Sequence, residues 1–324
     1  MAVRILIGDC RERLGELPDA SVNCCVTSPP YFGLRDYGHE GQMGLEPTPD
    51  EFVAGMVEVF REVRRVLRDD GTLWLNIGDS YSSGGGDTYT GFNARYDGTG
   101  IDGGKQAQTA KHFKKVGDKS LAPKNLIGVP WRLAFALQSD GWILRQDIIW
   151  SKPNPMPESV RDRCTKAHEY LFLLSKGPKY FYDADAIREP NISLEATQAR
   201  SNQHNKGDKY EARPDLGGGD GRSRLDFFNE AGRNKRSVWT VTPEPFPGAH
   251  FATYPPALIE PCVLAGCPKG GTVLDPFGGA GTTGLVADRL QRDAILIELN
   301  PEYAEIARKR LQGDGGMFSE VLAA

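Results

Sequence analysis

The feature that most constrains the fold is a strand, a glycine-rich turn and a helix that come late in the chain. Thr272–Asp275 is a short strand pattern, residues 278–284 include four glycines, and a helix pattern begins at Thr283. At such a turn, backbone N–H groups and the helix dipole face a bound ligand. The next apolar run ends in Glu298, where an acidic side chain is positioned to accept ribose hydroxyls.

The position of this unit in the chain separates two fold families. Residues 279–284 match Gly-x-Gly-x-x-Gly, so a nicotinamide-dependent oxidoreductase is an alternative. A dinucleotide-binding fold continues with several more strand and helix units after the acidic residue. Only 26 of the 324 residues follow Glu298, which is enough for one helix. The missing strands are therefore expected upstream, in a permuted order.

A proline-rich tetrapeptide follows an earlier predicted strand, residues 21–27. Pro29 and Pro30 fix their own φ angles and push their predecessors toward extended conformations, so Ser28 to Tyr31 form a stiff lip. Open α/β sheets bind ligands beyond the carboxyl ends of their strands, which is where this lip lies. A proline turn with a packed tyrosine is the alternative for so short a motif.

Taken together, the two segments resemble the DNA amino-methyltransferases. The Ser-Pro-Pro-Tyr at 28–31 is similar to the catalytic motif of that family, and the Asp-Pro-Phe-Gly-Gly-Ala-Gly-Thr run at 275–282 is similar to its S-adenosylmethionine loop. The catalytic motif comes first, as in the permuted β class. The resemblance implies a Rossmann-like α/β fold, namely a circularly permuted, seven-stranded S-adenosylmethionine-dependent methyltransferase sheet with inserted polar target-recognition loops.

The resemblance also implies roles for individual residues. Ser28 and the Pro29 carbonyl would accept hydrogen bonds from an exocyclic base amine, while Tyr31 stacks on a base rotated out of the duplex. The expected catalytic residues are Ser28, Pro29, Pro30 and Tyr31. The residues expected to bind S-adenosylmethionine are Asp9, Thr253, Asp275, Pro276, Phe277, Gly278, Gly279, Gly281, Thr282 and Glu298.

The first residue of the tetrapeptide bears on the target base. Cytosine-N4 enzymes of the family usually carry Ser-Pro-Pro-Tyr and adenine-N6 enzymes Asp-Pro-Pro-Tyr, so Ser28 favours the N4 amine of cytosine in double-stranded DNA. Serine and aspartate can both accept the amine hydrogen bond. Adenine N6 therefore stays open, as does a nucleic-acid-binding module with a degenerate site.

Two polar stretches lie outside the predicted strands and helices. Residues 84–104 contain eight glycines and 105–124 six lysines against one acid, while residues 191–236 are rich in Gly, Asn and Arg. A flexible surface is one interpretation, but loops this long are unusual in a compact domain unless they act in binding. The net charge of −4 does not exclude DNA, because binding requires only a local positive face. The residues expected to bind DNA are Lys111, Lys114, Lys115, Lys119 and Lys152.

The predicted organisation follows from these patterns. Residues 1–83 and 125–190 form the catalytic half, 84–124 a DNA-binding insertion, 191–240 a polar target-recognition segment and 241–324 the S-adenosylmethionine-binding half. The seven predicted strands are 4–9, 21–27, 72–77, 143–150, 169–174, 272–275 and 294–298. The clearest helix is 49–67, where Thr48 can cap, Pro49 suits the first position and apolar residues recur at helical spacing.

Composition sets the remaining expectations. The chain is 39% hydrophobic and 25% charged, as in globular proteins, and has no apolar run of about 18 residues and no signal-peptide pattern, so we expect a cytoplasmic protein without a membrane partner. Its six cysteines form no C-x-x-C pair, which predicts reduced structural thiols and no metal. Pro261-Cys262 is similar to the nucleophile of cytosine-C5 enzymes, yet it lies in an apolar helix pattern typical of core. Expected partners are double-stranded DNA and a cognate restriction endonuclease, and the protein is expected to be a monomer or homodimer.

Overall fold

A computed structural model describes residues 2–34, 39, 41–82, 121–191, 231–244, 253–314 and 320–323 of the chain. The chain divides into two compact units. Met1–Phe181 and Ser237–Ala324 form the larger unit, and Tyr182–Arg236 form the smaller one. All the strands and helices described next belong to the larger unit.

A nine-stranded sheet forms the centre of the larger unit. Its order is β6-β4-β5-β3-β2-β7-β8-β1-β9, with β5 antiparallel to both neighbours and every other pairing parallel. The strands are β1 (Ala2–Ile7), β2 (Val22–Thr27), β3 (Leu67–Ile77), β4 (Ile143–Ser151), β5 (His168–Ser175), β6 (Val238–Thr240), β7 (Thr272–Asp275), β8 (Asp293–Glu298) and β9 (Glu320–Ala323). The predicted α/β class is confirmed.

The strand count differs from the prediction. All seven predicted strands are present, but β6 and β9 add one strand at each edge of the sheet, so the predicted number of seven is wrong. Both additional strands are only three and four residues long, too short for a hydrophobic period to show. Leu67, predicted as the last residue of a helix, instead begins β3.

The strand order determines where a ligand can bind. β2 and β7 are parallel neighbours, paired through Cys24 with Val273 and Cys25 with Leu274. From β2 the chain continues to β3 on one side, and from β7 it continues to β8 on the other. Such a reversal opens a crevice beyond the carboxyl ends of the two strands, where open α/β sheets bind ligands. The late strand that carries the glycine-rich turn thus lies at the centre of the sheet, in the predicted permuted order.

Six helices connect the strands within the described part of the larger unit. They are α1 (Cys10–Gly15), α2 (Pro49–Val66), α3 (Val129–Ser139), α4 (Pro256–Gly266), α5 (Thr282–Arg289) and α6 (Pro301–Asp314). As predicted, α2 is capped by Thr48, whose hydroxyl accepts a hydrogen bond from the Glu51 backbone N–H at 3.2 Å. Its buried face is formed by Phe52, Met56, Val59, Phe60, Val63 and Val66.

Five of the six cysteines are buried, and Cys164 is exposed. The six, all of them among the described residues, form no disulfide. Cys262 lies in α4 with no exposed surface, and its thiol donates to the Leu258 carbonyl in the same helix. A buried thiol of this kind offers no accessible nucleophile, in agreement with the core interpretation. None of the helices described here is both long and apolar enough to cross a membrane.

The smaller unit overlaps the predicted target-recognition segment, residues 191–240, most of which lies outside the described residues. It contains a short 3-10 helix, Asp185–Ile187, and a bridge between Glu189 and Arg233. The Glu189 carboxylate pairs with Arg233 at 3.2 Å and with Arg236 at 3.0 Å. These ion pairs join the two ends of the unit to each other. The predicted insertion at 84–124 is described only from residue 121 onward.

Candidate active site

One cavity of about 650 Å³ lies beyond the carboxyl ends of β2 and β7. Ser28, Pro29, Pro30 and Tyr31 line it on one side, and the loop 276–282 lines it on the other. The two motifs are about 250 residues apart in the sequence and meet because β2 and β7 are neighbours. The volume falls within the usual range of roughly 300–1,000 Å³ for pockets that bind small molecules or cofactors.

The tetrapeptide leaves β2 as a stiff lip at the edge of the cavity. β2 ends at Thr27, whose hydroxyl donates to the Asp275 carboxylate at 2.6 Å and so ties the start of the lip to the end of β7. Pro29 is buried, whereas Ser28 and Pro30 are half-buried and face the cavity. The lip therefore presents a hydroxyl and a backbone carbonyl from a segment with few conformations available to it.

Tyr31 is held at both its ring and its hydroxyl. The hydroxyl donates to Glu169 at 2.6 Å and lies 3.2 Å from the side-chain oxygen of Asn76. Asn76, only 2% exposed, donates in turn to the Tyr170 carbonyl at 3.0 Å. A Cβ atom built on Gly78 would lie 2.5 Å from Cε2 of Tyr31, so the ring packs directly against this glycine. The position of the Tyr31 ring is thus fixed by neighbours from β3 and β5.

Lys152 and Glu169 form an ion pair inside the cavity. Their side chains are 20% and 16% exposed, and the Lys152 ammonium also lies 4.1 Å from the centre of the Trp150 ring. The sequence predicts Lys152 as a surface cation that binds DNA. The structure instead places its charge beside Glu169 at the hydroxyl end of Tyr31, because β4 and β5 pair through Trp150 and Glu169.

Asp275 is the centre of a buried hydrogen-bond network. Its carboxylate, 1% exposed, accepts from Thr27, Thr283 and Tyr254 hydroxyls at 2.6, 2.5 and 2.9 Å. It also accepts from the Phe277 backbone N–H at 3.1 Å. Burial raises the pKa of Asp275 despite these four donors. These four hydrogen bonds are all to protein groups, and Asp275 lies outside the cavity lining. Its predicted contact with the cofactor stays a prediction.

The glycine-rich loop is supported from behind by α6. Gly281 has a φ of 77°, and a Cβ built on it would lie 2.9 Å from the Cβ of Ala307. A larger residue is therefore excluded both by backbone conformation and by contact. The Arg310 guanidinium donates to the Ala280 carbonyl at 3.1 Å and to the Thr282 hydroxyl at 2.8 Å. Gly281 itself does not line the cavity, so its role is to shape the loop.

Two carboxylates lie at the loop side of the cavity. Glu298 ends β8 and accepts from the backbone N–H groups of Gly279 and Asn300, each at 2.8 Å. Burial raises the pKa of Glu298 from the ordinary value of a glutamate. Asp9 caps α1, and its carboxylate accepts hydrogen bonds from the backbone N–H and the guanidinium of Arg11. The guanidinium holds the pKa of Asp9 below its usual value.

The structure brings most of the predicted site residues together. Those that line the cavity are Asp9, Ser28, Pro29, Pro30, Tyr31, Lys152, Thr253, Pro276, Phe277, Gly278, Gly279, Thr282 and Glu298. Asp275 and Gly281 lie behind it. Lys111, Lys114, Lys115 and Lys119 lie outside the described residues. Among the residues that are described, no cluster of three or more His, Cys, Asp or Glu side chains is arranged to hold a metal ion.

Sequence reasoning missed several residues that support the site. Arg310 holds the loop 276–282, while Asn76 and Gly78 hold Tyr31. All three are distant in sequence from their partners, and no local pattern marks them. Tyr254, which follows the predicted Thr253, donates to Asp275 just before the loop.

The arrangement fits a nucleoside-bearing cofactor opposite a second planar ligand. Glu298 offers acceptor oxygens for ribose hydroxyls. Beside it, the Phe277 ring offers an apolar surface and the loop backbone offers polar groups. Across the cavity, Ser28 and Pro29 offer acceptors and Tyr31 offers an aromatic surface. These acceptors and the two aromatic rings thus suit S-adenosylmethionine on the loop side and a base amine on the lip side.

Comparisons with solved structures agree on the fold. A DNA modification methylase of Thermus thermophilus, solved with S-adenosyl-L-methionine, superimposes with a TM-score of 0.59 at 24% identity, covering 99% of this chain and 98% of that one. The PvuII DNA methyltransferase, described as cytosine-N4-specific, gives a TM-score of 0.61 at 18% identity, covering 95% and 87%. At these identities the likeness shows the fold alone.

Sequence comparisons identify the family. Type II methyltransferase M.SmaI of Serratia marcescens is 47% identical over 95% of this chain and 90% of its own length. M.XycI of Xanthomonas campestris pv. cyanopsidis is 48% identical over 98% of this chain and 90% of its own length. The profile of a family described as DNA methylase matches residues 22–309. This chain belongs to that family, the N6 and N4 DNA amino-methyltransferases.

Proposed function

We propose that this DNA methyltransferase methylates the exocyclic N4 amine of cytosine at a specific site in double-stranded DNA. One observation carries the proposal: the Ser28–Tyr31 lip and the loop 276–282 line the same cavity. The family uses S-adenosylmethionine. Serine at the first position of the tetrapeptide favours cytosine over adenine.

The residues of the lip suit the chemistry of an aromatic amine. The lone pair of such an amine is delocalised into the ring, so acceptors must hold its N–H bonds and localise the lone pair on the nitrogen, directed toward the methyl group. The Ser28 hydroxyl and the Pro29 carbonyl supply two acceptors, and Tyr31 supplies a fixed surface for a base rotated out of the duplex. No covalent enzyme intermediate is required, because the amine nitrogen is itself the nucleophile.

The loop side would hold the cofactor. The Glu298 carboxylate accepts hydrogen bonds from the ribose hydroxyls. The rest of the cofactor site is formed by Asp9, Thr253, Pro276, Phe277, Gly278, Gly279 and Thr282. When bound, S-adenosylmethionine supplies an electrophilic methyl group on a sulfonium centre. Asp275, Gly281 and Arg310 hold the loop in shape without lining the cavity.

Contacts with DNA phosphates are proposed for the polar segments. Lys111, Lys114, Lys115 and Lys119 would neutralise phosphates, a contribution that depends on salt concentration. The Type II names of the relatives support the further proposal of a cognate restriction endonuclease.

Product analysis tests the function directly. Methylated sites in DNA from cells that express this chain are mapped by methylation-aware sequencing. DNA incubated with the purified protein is digested to nucleosides for mass spectrometry. We expect N4-methylcytosine. N6-methyladenine would assign the adenine alternative, and 5-methylcytosine would overturn the direct amine mechanism.

Replacing Glu298 with glutamine is expected to weaken S-adenosylhomocysteine binding about tenfold, because hydrogen bonds to a charged acceptor are each worth roughly 1.5–3 kcal/mol. The pH dependence of this affinity provides a second test of the role of Glu298. The carboxylate is the better acceptor, and burial raises the pKa of Glu298, so wild-type affinity should fall as the pH is lowered through that raised pKa. Calorimetry over a pH series should show this loss in the wild type and its absence in Glu298→Gln.

The exposed Glu302, in the first turn of α6, provides a matched control for Glu298. Glu302→Gln should keep both the affinity and the pH dependence. Unchanged affinity in Glu298→Gln would remove this residue from the ribose site, and tight NADH binding would refute the assignment of the loop.

A further inference from the structure

Building on the proposed cytosine-N4 activity, we propose that Lys152 reads the target base. Its ammonium donates a hydrogen bond to the O2 carbonyl of the flipped cytosine and thereby selects cytosine over adenine. This role replaces the phosphate contact expected from the sequence with a contact to the base itself.

The position of the ammonium supports this role. Lys152 lines the same cavity as Ser28 and Tyr31, with its side chain 20% exposed. A lysine ammonium has three N–H donors and no acceptor. Glu169 takes one of them, and the Trp150 ring attracts the charge through its face rather than through a lone pair. Donors therefore remain for a ligand in the cavity.

The ammonium is also fixed relative to the ring on which the base stacks. Glu169 binds the Lys152 ammonium with one carboxylate oxygen and the Tyr31 hydroxyl with the other. The Tyr31 side chain thus extends from the lip at its backbone end to the Lys152–Glu169 pair at its hydroxyl end. A base lying along this ring, with its amine at Ser28, turns the rest of its edge toward Lys152.

The two candidate bases differ at that part of the edge. In cytosine the amine is followed by the N3 acceptor and then by the O2 carbonyl. In adenine the amine is followed by the N1 acceptor and then by C2–H, which accepts no hydrogen bond. A site built around a polar contact rejects an analogue that lacks it, because its own polar group is left unpaired. Lys152 would thus penalise adenine while Ser28 accepts either amine.

The test uses the mapped recognition site with its target cytosine replaced by a 2-aminopyridine C-nucleoside. This base keeps the amine and the adjacent ring nitrogen but has no carbonyl. The ratio of kcat/KM for cytosine over the analogue is measured for the wild type and for Lys152→Met. We expect the ratio to fall about 10- to 100-fold in the variant, the range for one charged hydrogen bond. The intrinsic difference in reactivity between the two bases cancels in this comparison.

Lys176→Met is the matched control, because Lys176 is also paired with a carboxylate, that of Asp69, and is 19% exposed, but lies outside the cavity lining. It should keep the wild-type ratio. If Lys152→Met does not fold, Lys152→Gln retains a neutral N–H donor and should give an intermediate ratio.

The outcomes separate this inference from the proposed function. An unchanged ratio in the Lys152 variants, with N4-methylcytosine as the wild-type product, would overturn the role of Lys152 alone. N6-methyladenine as the wild-type product would overturn the proposed function first. A lower ratio in the Lys152 variants with an unchanged ratio in Lys176→Met supports the contact to O2.

Discussion

Replacing Ser28 with alanine is expected to lower kcat about 100-fold or more while leaving S-adenosylhomocysteine affinity within about twofold of the wild type. The hydroxyl is proposed to hold the amine in the geometry of attack, and a hydrogen bond that strengthens in the transition state typically contributes on this scale. The lip lies across the cavity from the glycine-rich loop, so removal of the Ser28 hydroxyl should leave the cofactor contacts of the loop intact. Single-turnover methylation of the mapped site, with calorimetry for the cofactor product, measures both quantities.

Ser21 provides the control for this variant. It is exposed, lies just before β2 and donates to the Pro18 carbonyl at 2.7 Å, away from the cavity. Ser21→Ala should retain wild-type kcat. A Ser28→Ala enzyme that kept its kcat, or that lost cofactor affinity as strongly as turnover, would show that the hydroxyl does not act on the amine in the transition state.

The central part of the fold is readable from the sequence because each buried strand carries its own signal. The strands that flank the cavity are apolar runs that end in motifs, at Ser28 and at Asp275. Their neighbouring positions in the sheet follow from the permuted order. The edge strands β6 and β9 carry no such signal, because three or four residues do not establish a period.

The site is readable in its motifs and not in the support behind them. The Ser-Pro-Pro-Tyr motif predicts an aromatic ring at the cavity, which the structure shows, but not that Glu169 and Gly78 fix that ring. These neighbours come from other strands, and pairings between strands are not encoded locally. Lys152 shows the same limit, since only the register of β4 against β5 reveals that its charge is paired.

Asp275 shows how a residue within a motif can act indirectly. The resemblance of the 275–282 run to the family's S-adenosylmethionine loop predicts that it contacts the cofactor. Four donors of the protein surround its carboxylate, and three of them are hydroxyls from β2, α5 and the segment before α4. The fourth is the Phe277 N–H at the start of the loop 276–282. The aspartate thus connects the end of β2, where the Ser28–Tyr31 lip begins, with the loop across the cavity.

Replacing Asp275 with alanine is expected to lower the free energy of unfolding by about 3 kcal/mol or more. Each buried donor left without an acceptor costs roughly 1–3 kcal/mol, although a rotated hydroxyl can recover part of this. Thr283, for example, already lies 3.4 Å from the Val26 carbonyl. Against a total stability of about 5–15 kcal/mol, the loss is large. Urea unfolding monitored by circular dichroism measures it.

Asp293→Ala is the control, because Asp293 is also an aspartate at the boundary of a central strand, the first residue of β8, but accepts only a hydrogen bond from the Ala2 backbone N–H at 2.8 Å in a half-buried position. Its loss should cost only about 1 kcal/mol, the typical worth of one hydrogen bond. Because Asp275 also holds the Phe277 N–H, Asp275→Ala should in addition weaken S-adenosylhomocysteine binding under conditions where the variant is folded. If Asp275→Ala were no less stable than Asp293→Ala, water would be replacing the carboxylate, and the connection between lip and loop would depend on strand pairing alone.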